Sequence, residues 1–166
     1  FPKLVHKAVD AGIKVGVITN GQAWKPETVG ALARCTFVRI SISSIKEKLH
    51  QLLRQPKGKG RATIERVFDN IKKLTAMPGP DGRAIGIGFT ITRENYTELE
   101  DLVYKAVNVG VDNLRVTYTW VDDDAERYGP VQKDIEKHVQ KMNTSAQRHG
   151  LEVFGPGAWR DYQSGV

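Results

Sequence analysis

Residues 85–92 read IGIGFTIT, an alternation that fits an extended strand and little else. Successive side chains of a strand point to opposite faces. Ile85, Ile87, Phe89 and Ile91 therefore make one apolar side, and Gly86, Gly88, Thr90 and Thr92 a side of tiny or hydroxyl-bearing groups. The same division recurs in FVRISISS (37–44), where Val38, Ile40 and Ile42 alternate with Arg39, Ser41 and Ser43. It recurs again in NLRVTYTW (113–120), where Leu114, Val116, Tyr118 and Trp120 alternate with Arg115, Thr117 and Thr119. Strands covered by helices on both faces read as continuous apolar runs. In these three, one face is made for helices and the other for something else.

Helical patterns separate the strands. FPKLVHKAVDAG carries apolar residues at helical spacing and stops at Gly12, KVGVITNG is a short strand, and KPETVGALAR is a helix with Pro26 near its first turn. IKEKLHQLLR predicts a short helix after the second strand, and TIERVFDNIKKLTAM an amphipathic one with Ile64, Val67, Phe68, Ile71 and Leu74 on its stripe. YTELEDLVYKAVNVG predicts a helix capped by Asn95 or Thr97 and ended by Gly110. VQKDIEKHVQKMNTSAQRHG gives the last long helix and LEVFG a short fifth strand. Strands alternating with helices imply βα units, parallel pairing and right-handed crossovers. An antiparallel sheet with a solvated polar face would explain the alternation too, but long helical crossovers argue against it. The expected fold class is α/β, a parallel-stranded partial (β/α) TIM-type barrel truncated at its N-terminal side, with the polar face turned inward toward a ligand. The expected organisation is one barrel-like unit over 1–156 and a Gly/Pro/Trp tail over 157–166.

The chain opens at Phe1 without methionine and enters a helical pattern at once, which reads as a segment of something longer. Losing the first strands would leave a strand edge open to self-association. The net charge of +6 raises nucleic acid as a partner, but the densest basic run, LRQPKGKGR (53–61), lacks the interleaved aromatics that stack bases. We expect no nucleic-acid partner and read the run as a solvated loop with an anion-binding arginine. No apolar run approaches the roughly 20 residues that cross a bilayer, so no membrane partner is expected. The single cysteine, Cys35, excludes an internal disulfide and an all-cysteine metal site in this chain, and a reducing, cytoplasmic setting is the default. Cys35 itself reads as a small buried residue. His6, His50, His138 and His149 are scattered without a HExxH pair, so no metal ligands are assigned.

Ligands of parallel α/β sheets sit at the carboxyl ends of the strands. Here those ends offer Thr19-Asn20-Gly21, Ser43-Ser44, Thr92-Arg93-Glu94-Asn95 and Trp120 through Asp124. This hydroxyl- and amide-rich rim suits a polar organic ligand. Arg39 and Arg115 have two readings, structural pairing with Asp122–Asp124 or substrate binding. Trp24 and Trp159 either line a substrate mouth or pack.

In this order the segments resemble the radical S-adenosylmethionine enzymes, over about residues 1–120. AGIKVGVITNG is similar to the family's third barrel strand with its terminal Thr-Asn-Gly, and FVRISISS to the fourth, commonly Arg-x-Ser-Leu-Asp. LRQPKGKGRATIERVFDNIKKL looks like the arginine, glycine-containing loop and helix that follow. FTITRENYTELEDLVYKAVNVGVDNLRV resembles the fifth strand, its helix and the sixth strand. The resemblance implies a six-stranded partial barrel, bound S-adenosylmethionine and a 4Fe–4S cluster. In the family, one-electron reduction cleaves the sulfonium to a 5′-deoxyadenosyl radical that abstracts hydrogen from substrate, the cofactor carrying the hard chemistry. It implies that Ser41 contacts the ribose and that Arg54 pairs with the methionyl carboxylate, a task suited to a guanidinium fork. It also places Thr19 and Asn20 near the cofactor, and Thr90 and Thr117 on the inward faces that hold adenine edges and substrate. Ser43 stands where many members have aspartate. Each assignment has a plainer rival: Ser41 and Ser43 as fillers of a tapering interior, Arg54 as an exposed helix-end cation.

The family's Cys-x-x-x-Cys-x-x-Cys cluster loop is absent from this sequence, and so is its Gly-Gly segment after the second strand. The expectation is therefore a fragment whose parent, with an electron donor and an upstream cluster, abstracts hydrogen from a peptide or a small metabolite. Alone it is expected to do no radical chemistry and to hold no catalytic residue. Two other functions fit less of the sequence: a piece of another TIM-barrel lyase or isomerase, and a non-catalytic binding module.

Overall fold

The computed structural model describes residues 1–54, 63–118 and 128–155, Arg54 by its backbone alone. Among these residues five strands form one sheet in sequential order: β1 (Gly16–Thr19), β2 (Phe37–Ile42), β3 (Ala84–Ile91), β4 (Asn113–Tyr118) and β5 (Glu152–Phe154). Every neighbouring pair is parallel. The helices are α1 (Pro2–Asp10), α2 (Pro26–Ala33), α3 (Glu47–Arg54), α4 (Ile64–Thr75), α5 (Leu99–Val109) and α6 (Gln132–Arg148), with 3₁₀ turns at Tyr96–Glu98 and Gly129–Val131.

Sequential order matters more than strand count. When each strand pairs with the next and every crossover is right-handed, all crossover helices fall on the same side of the sheet. The helices accordingly form one layer, α1 against α2, α2 against α4, α4 against α5 and α5 against α6. Among the described residues the other side receives no helix. This is the singly wound, open partial barrel expected from the sequence.

Burial follows the alternation. Val38, Ile40, Ile42, Ile85, Ile87, Phe89, Ile91, Leu114 and Val116 are all buried beneath the helices. Facing them, α4 buries Ile64, Val67, Phe68, Ile71 and Leu74, the stripe marked by its 3.6-residue spacing. Each such side chain contributes roughly 1.5–3 kcal/mol on leaving water, enough to outweigh the indifferent helix propensity of its β-branched members. Thr63 caps α4, its hydroxyl accepting from Arg66 N–H at 3.2 Å, while a Glu47 carboxylate oxygen takes the Ile64 N–H at 2.7 Å. α5 ends as predicted at Gly110, in the left-handed region at φ +73°.

Its other end differs from expectation. Neither Asn95 nor Thr97 caps α5, which grows from the 3₁₀ turn at Tyr96–Glu98 with no side-chain cap. Asn95 is instead fully buried with its amide committed elsewhere. No helix among the described residues is long and apolar enough to cross a membrane. The tail at 157–166, most of the basic run at 53–61, and Thr119 through Asp124 lie outside the described residues, as does Trp159.

Candidate functional site on the open face of the sheet

Register brings the polar alternates into rows. One row runs Ile18, Arg39, Gly86, Asn113 and Glu152 across all five strands. The next, toward the carboxyl ends, runs Ser41, Gly88, Arg115 and Phe154, and Thr90 pairs with Thr117 in the row beyond. Ser41, Thr90 and Thr117 thus share one face, and no helix among the described residues smothers it: Thr90 and Arg115 are exposed, Ser41 and Thr117 half-buried. The glycines of IGIGFTIT face two particular neighbours. A Cβ at Gly88 would stand 3.1 Å from Arg39 Cδ, and one at Gly86 would overlap the Asn113 amide oxygen. The bare centre of β3 is what lets those side chains lie down across the sheet.

Thr19 is set apart. It pairs with Ile40 and so belongs to the helix side, where its hydroxyl accepts from Gly21 N–H at 3.2 Å and from the Trp24 indole N–H at 3.4 Å. Trp24 is buried here, as packing rather than as a mouth. Asn20 is exposed and folds the turn, its Oδ1 accepting from Gln22 N–H at 3.2 Å. Gly21 has φ +71°, and a Cβ there would meet Ile40 and Val67 at 2.9 Å. Thr-Asn-Gly therefore builds a tight, buried corner that presents Asn20 at the strand end.

The loop after β2 is held by groups that sequence reading missed. Glu98 is fully buried, and its two carboxylate oxygens lie 2.9 and 2.8 Å from the donating Ser44 hydroxyl. Ile45 N–H donates to Oε2 at 2.8 Å, and Lys46 N–H to Ser44 Oγ at 2.9 Å. Beside this clasp, Asn95 Nδ2 donates to the backbone carbonyls of Ser43 and Thr90, both at 2.8 Å, and its Oδ1 accepts from Thr92 N–H at 2.7 Å. Ser43 and Thr90 are thereby fixed to one side chain across the β2–β3 boundary. Tyr128 adds a hydrogen bond from its hydroxyl to the Ile91 carbonyl at 3.1 Å. Spacing offered a signal for Glu98: it lies four residues before Leu102, on the buried stripe of α5, whereas Glu100 and Asp101 beside it do not.

Arg54 ends α3, and its side chain lies outside the described residues. Arg39 is half-buried with its guanidinium 4.8 Å from the Phe37 ring; burial, and then the charge of Arg115, hold it below the ordinary arginine range. Among the described residues neither arginine makes an ion pair; Asp122–Asp124, the structural partners expected from the sequence, lie outside them.

A nucleoside-like cofactor fits this face, which offers small side chains, hydroxyls and an open approach. An iron–sulfur cubane does not, because it needs several thiolates. Cys35 is one, fully buried, with its S–H directed to the Ala31 carbonyl at 3.6 Å and its pKa pushed up by burial.

No family model matches the chain. A probable GTP 3′,8-cyclase of Sulfurisphaera tokodaii is 28% identical to it over 120 residues, covering 69% of this chain and 34% of that protein. Two crystal structures of Streptococcus suis SuiB, one alone and one bound to S-adenosylmethionine, superpose with TM-scores of 0.64 and 0.65 at 20% and 19% identity, each over 94% of this chain. SuiB bound to its precursor peptide SuiA superposes at 0.63 over 98%. The chain spans about a third of the length of these proteins, 34–36%.

Proposed function

We propose, on the premise that this chain is the C-terminal part of a radical S-adenosylmethionine-type partial barrel, that its open face binds S-adenosylmethionine. In this reading Ser41 and Ser43 approach the ribose, Thr90 and Thr117 line the adenine and substrate side, and Asn20 closes the rim. Arg54 takes the methionyl carboxylate. Thr19 acts one step removed, shaping the corner that carries Asn20. The observation that carries the reading is the register that puts Ser41, Thr90 and Thr117 on one face, free of helices among the described residues.

When bound, the cofactor supplies one-electron chemistry that begins with hydrogen-atom abstraction. The residues of this chain bind and orient. Hydroxyls on rigid strands hold a polar ligand without ordering cost at the moment of binding. The Glu98–Ser44 and Asn95 clasps keep Ser43 and Thr90 from drifting apart, and the apolar layer beneath excludes water from the back of the sheet. The iron–sulfur cluster has no ligand set here and belongs to the longer parent. That parent, with an electron donor, would act on a peptide or a small metabolite. A peptide is favoured, because the SuiB neighbour is bound to its precursor peptide. Alone, this chain binds and does not turn over.

Calorimetric titration of the 166-residue chain with S-adenosylmethionine tests the assignment. Saturable binding is expected, weakened about 3- to 10-fold by Ser41→Ala and by Thr117→Val, the worth of one hydrogen bond each. Absence of saturable binding to a folded chain, or binding indifferent to both substitutions, overturns it.

A further inference from the structure

Arg39 and Arg115 stand on the two strands that flank β3, one row apart. Between them lie Gly86 and Gly88, which contribute no side chain. The methylene stem of Arg39 lies across Gly88 and its guanidinium rests against Phe37. Its Nε is buried without a hydrogen-bond partner. Burial of Arg39, and then the nearby charge of Arg115, disfavour its charged form and hold its pKa below the ordinary arginine range. Proteins commonly offset such an arrangement with carboxylates, yet among the described residues none does so. Glu152, which shares the open face and the Arg39 row, makes no ion pair with either arginine. Among the described residues, then, the face presents two guanidinium groups with no carboxylate partner over a floor of glycine.

We propose that the guanidinium groups of Arg39 and Arg115 form a subsite for an oxyanion, a carboxylate or phosphate carried by the substrate of the open face. The subsite rests on reading that face as a substrate face and deepens it: Thr90 and Thr117 lie toward the strand ends, Arg115 shares the row of Ser41, and Arg39 lies one row farther down the sheet. Guanidinium forks match the paired oxygens of either group. A substrate so anchored has its charged end fixed and its neutral part delivered toward the hydroxyl row.

The test is an NMR titration of the 166-residue chain, following arginine Nε–Hε signals at constant ionic strength, with glutarate in one arm and inorganic phosphate in the other. Arg39 and Arg115 are expected to shift saturably while Arg148, at the far end of α6, does not. Arg115→Met should weaken binding about 10-fold, the worth of one charge-assisted pair, and Arg115→Lys should restore only part of it. Arg39→Met keeps the stem over Gly88 and should act alike; should it fail to fold, Arg115→Met on the exposed side carries the test. Tighter binding of glutarate assigns a carboxylate, tighter binding of phosphate a phosphate. Shifts no larger than those of Arg148, or binding unmoved by Arg115→Met, overturn the subsite. Calorimetry with S-adenosylmethionine on the same samples separates the two readings. Anion saturation without cofactor binding rejects the cofactor and leaves the subsite; cofactor binding without anion saturation does the reverse.

Discussion

At Gly86 a methyl group would overlap the Asn113 side chain and stand 3.2 Å from the Asn113 backbone carbonyl, whereas at Gly88 its nearest neighbour is the flexible stem of Arg39. The two glycines look interchangeable in IGIGFTIT and are not. Gly86→Ala is expected to cost about 1–3 kcal/mol through overpacking. Gly88→Ala should cost under about 1 kcal/mol, since a methylene chain swings aside more readily than a backbone. Urea denaturation of both variants decides it, and equal losses would mean that Asn113 yields as easily as Arg39. Cys35 gives a residue-scale prediction in pH. Burial raises its folded pKa above the unfolded value of about 8.5. The neutral thiol's contribution is thus complete below that value and lost as pH rises through the higher folded one. Relative to Cys35→Ala, the wild-type urea midpoint should hold level to about pH 8 and fall at more alkaline pH. Parallel pH profiles for the two proteins would contradict this.

Among the elements, the helix starts and the loops they follow carry what the alternation alone leaves open. Strand placement was legible because period-two patterning has few competitors, and the α4 stripe because its apolar residues fall at regular helical spacing. Glu98 and Asn95 were not legible as clasps. A Glu and an Asn ahead of an apolar run also describe an ordinary solvent-exposed helix start. Only the three-dimensional approach of the β2 loop turns them inward. Thr19 shows the same limit: its place in Thr-Asn-Gly marks a strand end, while its row in the register, opposite Ile40, decides which side it faces. Removing the clasp should therefore loosen a loop as well as the fold. Glu98→Ala strands the Ile45 N–H and leaves the Ser44 hydroxyl only the Lys46 carbonyl, at 3.2 Å, to donate to, and a loss of about 1–3 kcal/mol is expected. Glu98→Gln retains an acceptor and should lose less. Hydrogen exchange across residues 43–46 should accelerate more than across β4 in Glu98→Ala; uniform acceleration would mean that Glu98 supports the fold as a whole and the loop no more than the rest.

For the whole molecule, the decisive property is that the sheet is open while the helices among the described residues lie on one side. Closed barrels have no edges; here, among the described residues, β1 pairs only with β2, and β5 only with β4. The open face near β1 also carries Ile18 at 66% exposure, with Ile13 at 59% just before the strand. An unpaired parallel edge beside exposed branched side chains is a template for another strand. The edge has backbone donors and acceptors to satisfy, and Ile18 gains by leaving water. Concentration-dependent association is therefore expected for this chain in sedimentation velocity. Ile18→Lys should shift it toward monomer, because a charge on an edge resists pairing without touching the buried layer. The same substitution should leave the urea midpoint within about 0.5 kcal/mol of wild type, since Ile18 contributes little to the core. A compact monomer at every concentration would show that this edge is protected, and association insensitive to Ile18→Lys would move the contact to the β5 side, where Phe154 is 46% exposed.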